Sequence, residues 1–301
     1  MEKRPFGNTG LEVSVIGFGG MTIGGAFGPV DDRESTAALH AAIDGGMNFI
    51  DTSNAYGEGH SESVIGKFLT DRPDRDQILV FSKGGNNMVT RTRNFAPAYI
   101  ASCLEESLVR LGRSIDFYML HNPNIDDMSA EDAYAALEKA RDAGKIRHWG
   151  VSLNSAAECD FALEQARVAG LQMEYNVANQ SAHAAFIAAR QRGTAVIARV
   201  PLARGFLSGR FSPDHEFAEG DSRQRNLSRD NMLKLAGQLD RVETEARDLG
   251  VTAAALAQRF CVSHAGVSCV IPGIRTAAQA RDNALACDPL PPDVLSRLTE
   301  S

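Results

Sequence analysis

The sequence predicts an α/β fold, a (β/α)8 TIM barrel preceded by a β-hairpin and lacking a Rossmann domain. Eight short apolar segments alternate with helix-like segments along nearly all of the 301 residues. The apolar segments are hydrophobic throughout, as expected for parallel strands that are covered on both faces. Eight strand–helix units in a chain of this length fit a barrel of about 250 residues with additions. We therefore expect residues 1–301 to form one barrel domain.

The strands can be placed in chain order. The turn Asn8-Thr9-Gly10 separates two short extended segments and predicts the N-terminal hairpin. The eight barrel strands are then predicted at 14–20, 47–53, 78–83, 115–121, 147–152, 171–176, 195–200 and 267–273.

Start and stop signals place the helices between these strands. Pro97 in a first turn and Gly112 after a last turn mark the helix that follows the third strand. Ser129-x-x-Asp132 resembles a capping box and predicts a helix over 129–144. Further helices are predicted at 33–46, at 155–170 and, after a loop at 210–227, at about 229–249 and 252–262.

An open doubly wound sheet is the alternative architecture. Its phosphate-binding loop would carry G-x-G-x-x-G after the first strand. In "GFGGMTIGG", Gly17 and Gly19 satisfy the first two positions, but Thr22 stands at the third. The sequence therefore favours the barrel over a Rossmann domain.

Composition excludes several classes of function. The net charge of −7 argues against a nucleic-acid partner bound through a basic surface. No apolar run approaches the ~20 residues that cross a bilayer, and "MEKRPFGNTG" is not a secretion signal. The five cysteines are scattered without a CxxC motif, which indicates neither a disulfide framework nor a zinc site. We expect a cytoplasmic protein with reduced thiols, no metal, and no membrane or nucleic-acid partner.

Three polar residues end successive predicted strands: Asp51, Lys83 and His121. Each alone has an ordinary structural explanation, as a turn, a solvated lysine or a loop histidine. The C-terminal ends of barrel strands, however, meet at one mouth, where active sites form. A lysine buried there needs a carboxylate partner, and Asp51 is the available one.

Tyr56 follows Asp51 by five residues in a glycine-rich turn. An adjacent ammonium favours the phenolate, so the sequence predicts a Tyr56 pKa below the usual ~10. Such a phenol can exchange a proton with a carbonyl oxygen, and His121 can supply a second hydrogen bond. No competing metal motif is present, since the chain has no HExxH and no Cys pair.

These motifs resemble a known family. "DTSNAYG", with Asp51 and Tyr56, resembles the signature of the aldo-keto reductases. Lys83 in "VFSKGG", His121 in "YMLHNP" and Ser152 in "GKIRHWGVS" follow in the family's order and spacing. The chain is similar to short-tailed bacterial members related to potassium-channel β subunits. The resemblance implies that Tyr56 is the general acid/base, that Lys83 and Asp51 lower its pKa, and that His121 positions the substrate.

The resemblance also implies a nicotinamide cofactor, bound extended across the barrel mouth. Arg275 would pair with a 2′-phosphate, so NADP(H) is expected, with NAD(H) as the alternative. The matching positions extend to the end of the segment "IPGIRTAAQARDNALA". They are Gly20, Met21, Ser152, Gln172, Arg199, Pro201, Leu202, Gly205, Leu207, Gly209, Arg210, Gly273, Arg275, Gln279, Asp282 and Asn283.

Two positions depart from the family pattern. Leu153 stands where an asparagine commonly follows the serine, and Asn154 comes one step later. Arg199 stands where an aromatic ring often stacks on the nicotinamide, and its planar guanidinium could stack in the same way.

The expected activity is NADP(H)-dependent hydride transfer between nicotinamide and an aldehyde or ketone. One alternative is a regulatory β-subunit-like protein that binds the cofactor with little turnover. A second alternative is a lyase that forms a Schiff base on Lys83. The small-molecule carbonyl or alcohol substrate, the direction of the reaction and the choice between monomer and homo-oligomer stay open.

Overall fold

An antiparallel hairpin opens the chain. The computed structural model describes residues 1–87, 90–130, 132, 134–164 and 168–299. Strands β1 (Lys3–Pro5) and β2 (Glu12–Ser14) pair with Lys3 opposite Ser14. The Phe6 amide donates to the Leu11 carbonyl at 2.8 Å across the predicted turn.

Eight parallel strands form the barrel and confirm the predicted fold. The later strands are β3 (Phe18–Gly19), β4 (Phe49–Asp51), β5 (Leu79–Gly84), β6 (Asn86–Asn87), β7 (Thr92–Arg93), β8 (Ile115–His121), β9 (Ile146–Ser152), β10 (Gly170–Glu174), β11 (Ala195–Arg199) and β12 (Cys269–Ile271). β6 and β7 form a separate hairpin, and the other eight pair in chain order from β3 to β12. The ring closes where the Gly17 amide donates to the Val270 carbonyl at 2.9 Å.

The N-terminal hairpin fills one end of the barrel. Phe6 is fully buried, and its ring centroid lies 5.0 Å from those of both Phe81 and Phe117. Leu11 and Val13 of the hairpin join the same interior cluster. Because apolar side chains close the N-terminal ends of the strands, only the C-terminal ends are left to form an open site.

Helices cover the outside of the barrel. They are α1 (Asp32–Asp44), α2 (His60–Thr70), α3 (Pro97–Leu111), α4 (Ile125–Ser129), α5 (Ala135–Asp142), α6 (Ala156–Glu164), α7 (His183–Gln191), α8 (Arg223–Asn226), α9 (Arg229–Asp248), α10 (Ala253–Ser263), α11 (Ala277–Ala284) and α12 (Pro292–Thr299). The signals predicted for α3 are present, with Pro97 at its start and Gly112 in the left-handed conformation after its end. The two helices predicted near 229–249 and 252–262 are α9 and α10.

The predicted helix over 129–144 is wrong in its first half. Asn124 forms a capping box with Asp127, which starts α4 and makes Ser129 its last residue. The next helix, α5, starts only at Ala135, and residues 131 and 133 lie outside the described residues. The end of the helix predicted at 155–170 also lies partly outside them, at 165–167, as do residues 300–301 of the expected domain.

The described part of the chain contains no helix that is both long and apolar enough to span a membrane. All five cysteines have free thiols, and four of them are buried.

Candidate active site

The ends of β4 and β5 meet at a buried ion pair. Lys83 is fully buried, and its Nζ donates to Asp51 Oδ1 at 2.6 Å and to the Thr52 carbonyl at 2.8 Å. Burial lowers the pKa of Lys83, but the negative charge of Asp51 and the phenol of Tyr56 together raise it by a larger amount. The net shift is therefore upward. Lys83 is therefore a charged ammonium at neutral pH, as predicted from the two strand ends.

A chain of side-chain hydrogen bonds holds the second oxygen of Asp51. Gln172 Nε2 at the middle of β10 donates to Asp51 Oδ2 at 2.8 Å. Ser152 at the end of β9 donates through its hydroxyl to Gln172 Oε1 at 3.0 Å. Ser152 and Gln172, both predicted cofactor ligands, thus also fix the carboxylate that pairs with Lys83.

Tyr56 lies beside this ion pair at the barrel mouth. The centroid of its ring is 5.2 Å from Lys83 Nζ, and only 9% of the residue is exposed. Burial raises the pKa of Tyr56, and this exceeds the lowering by the positive charge of Lys83. The predicted pKa below 10 is therefore wrong for this structure, because burial of the phenol disfavours the phenolate more than the Lys83 ammonium favours it. Tyr56 is a neutral phenol near pH 7 and can donate a proton.

His121 ends β8 beside the phenol. Its ring stands nearly perpendicular to that of Tyr56, with centroids 5.8 Å apart. Burial, aided by the positive charges of Lys83 and Arg199, lowers the pKa of His121 well below 6.5. The imidazole is therefore neutral at pH 7, and its Nδ1 lies 3.0 Å from the Ser53 hydroxyl oxygen.

Arg199, at the end of β11, has contacts that the sequence did not predict. Its Nη2 donates to the Leu153 carbonyl and to Asn154 Oδ1, both at 2.9 Å. Its Nη1 lies 3.9 Å from Glu174 Oε2, which also accepts a bond from Arg204 at 3.2 Å. The Arg199 Nε is buried and has no partner among the described residues. Arg199 is thus anchored at one edge and presents an unused donor.

Leu153 is fully buried in the apolar layer between strands and helices. Successive side chains of a strand point to opposite faces, so Leu153 points away from the interior-facing Ser152. The asparagine common at this position in the resembled family is therefore replaced by a core residue, and Asn154 contacts Arg199 instead.

The loop after β11 has an unusual backbone. Val200, Ala203 and Arg204 adopt φ values of +57°, +44° and +60°, which is uncommon for residues other than glycine, and most of all for a β-branched one. Strained backbone of this kind concentrates at functional sites. The loop carries six of the predicted cofactor residues. Pro201 and Leu207 are buried, Leu202 and Gly205 are half-buried, and Gly209 and Arg210 are exposed.

The segment "IPGIRTAAQARDNALA", predicted to hold the phosphate of the adenosine, runs from the end of β12 through all of α11. Arg275 does not present a free guanidinium, because its Nη1 donates to the Phe27 carbonyl at 3.1 Å and its Nη2 to the Pro29 carbonyl at 2.5 Å. Gln279 Oε1 accepts from the Arg275 amide at 2.8 Å. Asn283 Oδ1 accepts from Gln258 at 2.8 Å. Among the predicted ligands in this segment, Gly273 and Asp282 are exposed.

A cavity of about 440 Å³ opens beside Tyr56. Met21, predicted to contact the cofactor, lines it together with Gly24 and Ala55. Gly20 lies behind this wall, where a Cβ would meet the Asp51 carbonyl oxygen at 2.9 Å. The loop after β3 therefore forms one wall of the cavity.

Sequence reasoning missed two hydroxyls. Ser53 accepts from the Ala55 amide at 3.1 Å and contacts His121, so it fixes the turn and the imidazole together. Ser61 bonds Thr52 at 2.8 Å and the Gly20 carbonyl at 3.0 Å, which ties α2 to two strand ends. The serine inside "DTSNAY" was the available signal for the first; nothing local indicated the second.

Comparison with known proteins places the chain among the members of one family. The sequence model of the Aldo/keto reductase family matches residues 15–301. The aldo-keto reductase yakc of Schizosaccharomyces pombe, whose name specifies NADP(+), is 30% identical over 296 residues, covering 93% of this chain and 85% of that protein. A probable voltage-gated potassium channel subunit beta of Arabidopsis thaliana is 28% identical over 324 residues, covering 100% and 96%.

Solved structures show the same likeness. The glycerol dehydrogenase AKR11B4 from Gluconobacter oxydans superimposes with a TM-score of 0.84 at 28% identity, covering 98% of this chain and 93% of that one.

Proposed function

Because the chain belongs to the aldo/keto reductase family, we propose that it is an NADP(H)-dependent oxidoreductase that interconverts an aldehyde or ketone with its alcohol. The observation that carries the proposal is the buried Lys83–Asp51 ion pair beside the buried phenol of Tyr56. A charged ammonium in this position stabilises a phenolate that forms only during proton transfer. The arrangement therefore supports Tyr56 as the group that gives a proton to the carbonyl oxygen.

Each of the four predicted catalytic residues then has a distinct role. Tyr56, a neutral phenol, donates its proton to the developing alkoxide. Lys83 stabilises the resulting phenolate, and Asp51 keeps Lys83 charged and in place. His121, a neutral imidazole held at Nδ1 by Ser53, directs its other nitrogen toward the mouth and orients the carbonyl oxygen.

The described residues fit a dinucleotide at the mouth. The unpartnered Nε of Arg199 and the strained loop after β11 both lie at strand ends. Arg210 at the end of that loop has no ion pair in the described part of the chain and could meet a pyrophosphate. When bound, the nicotinamide would supply hydride for reduction or accept it for oxidation. We assign its carboxamide to Ser152, Gln172 and Arg199, and the rest of the cofactor to the loop after β11, to Gly20 and Met21, and to the segment from Gly273 to Asn283.

NADP(H) is the proposed cofactor because the family resemblance and the name of the Schizosaccharomyces pombe relative both point to it. The contacts of Arg275 do not support its predicted role, since a 2′-phosphate would have to compete with two carbonyl acceptors. We therefore keep NADP(H) without assigning the phosphate to Arg275.

The test is a steady-state assay of NADPH oxidation with a panel of small, aromatic and sugar aldehydes, repeated with NADH. We expect turnover with NADPH and a loss of about 10²–10⁴-fold in Tyr56→Phe, which removes only the hydroxyl. NADPH binding, followed by its fluorescence, should be retained in that variant. Unchanged turnover in Tyr56→Phe would contradict the assignment of the proton donor.

A regulatory, cofactor-binding protein with little turnover is the second candidate. The similarity to the potassium channel subunit beta of Arabidopsis thaliana is the observation that favours it. Under this alternative, NADPH would bind tightly, but no aldehyde of the panel would give more than about one oxidation per active site when NADPH and aldehyde are both in large excess over the protein. Multiple turnovers with any aldehyde would exclude it.

A further inference from the structure

Two arginines line the cavity that contains Tyr56. Arg91, in the turn between β6 and β7, and Arg225, in α8, both border the same 440 Å³ space. Within the described residues, neither side chain takes part in an ion pair or hydrogen bond. Both residues are exposed, whereas Tyr56 is buried, so the arginines lie at the rim and the phenol at the floor.

The one carboxylate in the cavity wall is already neutralised. Asp221 is 5% exposed and accepts two bonds from Arg223 Nε, at 3.0 and 3.1 Å, and one from its Nη2 at 2.5 Å. Burial raises the pKa of Asp221, but the hydrogen bonds and charge of Arg223 lower it by a larger amount. The net shift is downward, so the carboxylate stays ionised. Asp221 therefore cannot serve as counter-ion for Arg91 or Arg225 without leaving Arg223.

Arg223 is fixed in place by aromatic rings. Its guanidinium lies 4.8 Å from the ring centroids of both Phe27 and Phe217 and 5.1 Å from that of Phe211. Cation–π contacts on several rings hold this arginine against the wall with Asp221. The carboxylate–guanidinium pair is thus part of the scaffold, and its net charge is zero.

Among the described residues, no other acid lines the cavity or forms an ion pair with the two rim arginines. Asp51 is paired with Lys83, and Glu58 follows the lining residue Gly57 without bordering the cavity. The whole chain is acidic, with 38 Asp and Glu against 31 Lys and Arg. The two rim arginines, without an ion-pair partner among the described residues, carry the opposite sign to the net charge of the chain, and such cations attract and orient an anion.

We propose that the physiological substrate carries an anionic group, a carboxylate or phosphate, which Arg91 and Arg225 bind at the rim while Tyr56 contacts the carbonyl at the floor. This inference rests on the proposed function. Guanidinium groups recognise both anions through paired hydrogen bonds, so the chemistry is the same for either. The left-handed backbone of Arg91, with φ of +56°, is a strained conformation of the kind found at binding sites.

The test compares aldehydes with and without an anionic group. The pairs are para-formylbenzoate with its methyl ester, and glyceraldehyde phosphate with glyceraldehyde, each assayed with NADPH at low ionic strength. We expect a kcat/KM at least about tenfold higher for one of the two anionic members, through a lower KM. The advantage should shrink as salt is raised to about 0.5 M, because both arginines are exposed and screened.

Variants then locate the effect. Arg91→Gln and Arg225→Gln should each lower the anionic-to-neutral ratio of kcat/KM about threefold, and the double variant should lower it about tenfold, to near one. Arg190→Gln is the matched control, since Arg190 lines a cleft on the opposite side of the barrel from Tyr56 and its loss removes the same charge. That control should keep the wild-type ratio.

Three outcomes would overturn the inference while leaving the proposed function intact. The first is an equal kcat/KM for both members of each substrate pair. The second is an unchanged anionic-to-neutral ratio of kcat/KM in the double variant, and the third is a double variant in which the KM for NADPH rises while the KM for the anionic aldehyde does not. If no aldehyde is turned over, the proposed function fails, and calorimetry with para-(hydroxymethyl)benzoate still tests the site. Binding of this anion by wild type that is lost in the double variant supports it, and equal binding by both refutes it.

Discussion

Replacing Lys83 with methionine should slow catalysis through the pKa of Tyr56. At an effective dielectric constant of about 20, a unit positive charge 5.2 Å from the ring centroid of Tyr56 stabilises the phenolate by about 3 kcal/mol. This corresponds to a lowering of the phenol pKa by about two units. If about half of that free energy is expressed in the transition state, kcat falls about tenfold in either direction of the reaction. Lys83→Met should therefore have at most a tenth of wild-type kcat between pH 6 and 9.

A second substitution should restore part of this loss. Lys83→Met leaves the charge of Asp51 buried, and that charge raises the pKa of Tyr56. Asp51→Asn/Lys83→Met removes both charges, so the phenol loses the favourable cation but also the unfavourable carboxylate. The double variant should also be more stable to urea than Lys83→Met, because an unpaired buried charge costs about 3–5 kcal/mol.

The assay is single-turnover reduction with saturating NADPH and aldehyde, so that binding and product release do not contribute. Circular dichroism and urea titration check that each variant is folded. A Lys83→Met enzyme within twofold of wild type would show that the charge of Lys83 does not tune Tyr56. A double variant no faster than Lys83→Met would show that the charge of Asp51 does not oppose ionisation of the phenol.

Three further results are expected. Burial, and after it the charge of His183, lowers the pKa of His264 to about 4 in the folded protein, against about 6.5 in the unfolded chain. Between these two pH values the imidazole is protonated only in the unfolded chain, so acid favours unfolding. Unfolding free energy measured in urea should therefore fall by about 1–2 kcal/mol from pH 7 to 5, and His264→Asn should abolish that share of the loss. Leu153→Asn restores the residue common in the family but places an amide in the apolar layer, so it should destabilise the protein by about 2–4 kcal/mol in the same titration. Arg275→Ala should change the NADPH-to-NADH ratio of kcat/KM by less than about tenfold, because the guanidinium of Arg275 already binds the carbonyls of Phe27 and Pro29. A hundredfold fall in that ratio would show that Arg275 is the ligand of the 2′-phosphate after all.

The barrel could be predicted because its signals are local. Each strand is a short apolar segment bounded by polar residues, and Pro97 and Gly112 bound a helix through their own backbone geometry. The helix start at Ser129 failed for the same reason, since Asn124 offers a competing capping box five residues earlier. Choosing between two local signals requires the packing of the whole segment.

The ion pair of the candidate site could also be predicted, because strand ends in a barrel converge and a buried lysine needs a carboxylate. The pKa of Tyr56 could not, since its sign depends on how deeply the ring is buried. The hydrogen bond of Arg275 to the Phe27 carbonyl and the contact of Arg223 with the Phe27 ring join segments about 200 or more residues apart in the chain. No spacing rule in the sequence reports such loop pairs.

The titratable groups of the site are displaced away from neutrality in directions that fit together. Burial and neighbouring charges move the pKa of Tyr56 above 10.0, that of Lys83 above 10.5, and that of His121 well below 6.5. Between these limits the site holds a neutral phenol, an ammonium and a neutral imidazole. A cationic His121 would repel Lys83 and Arg199, and an ionised Tyr56 could not donate. Burial thus works against the low phenol pKa expected from the sequence, but it keeps the proton on Tyr56 until a carbonyl oxygen needs it, and Lys83 then stabilises the phenolate that remains.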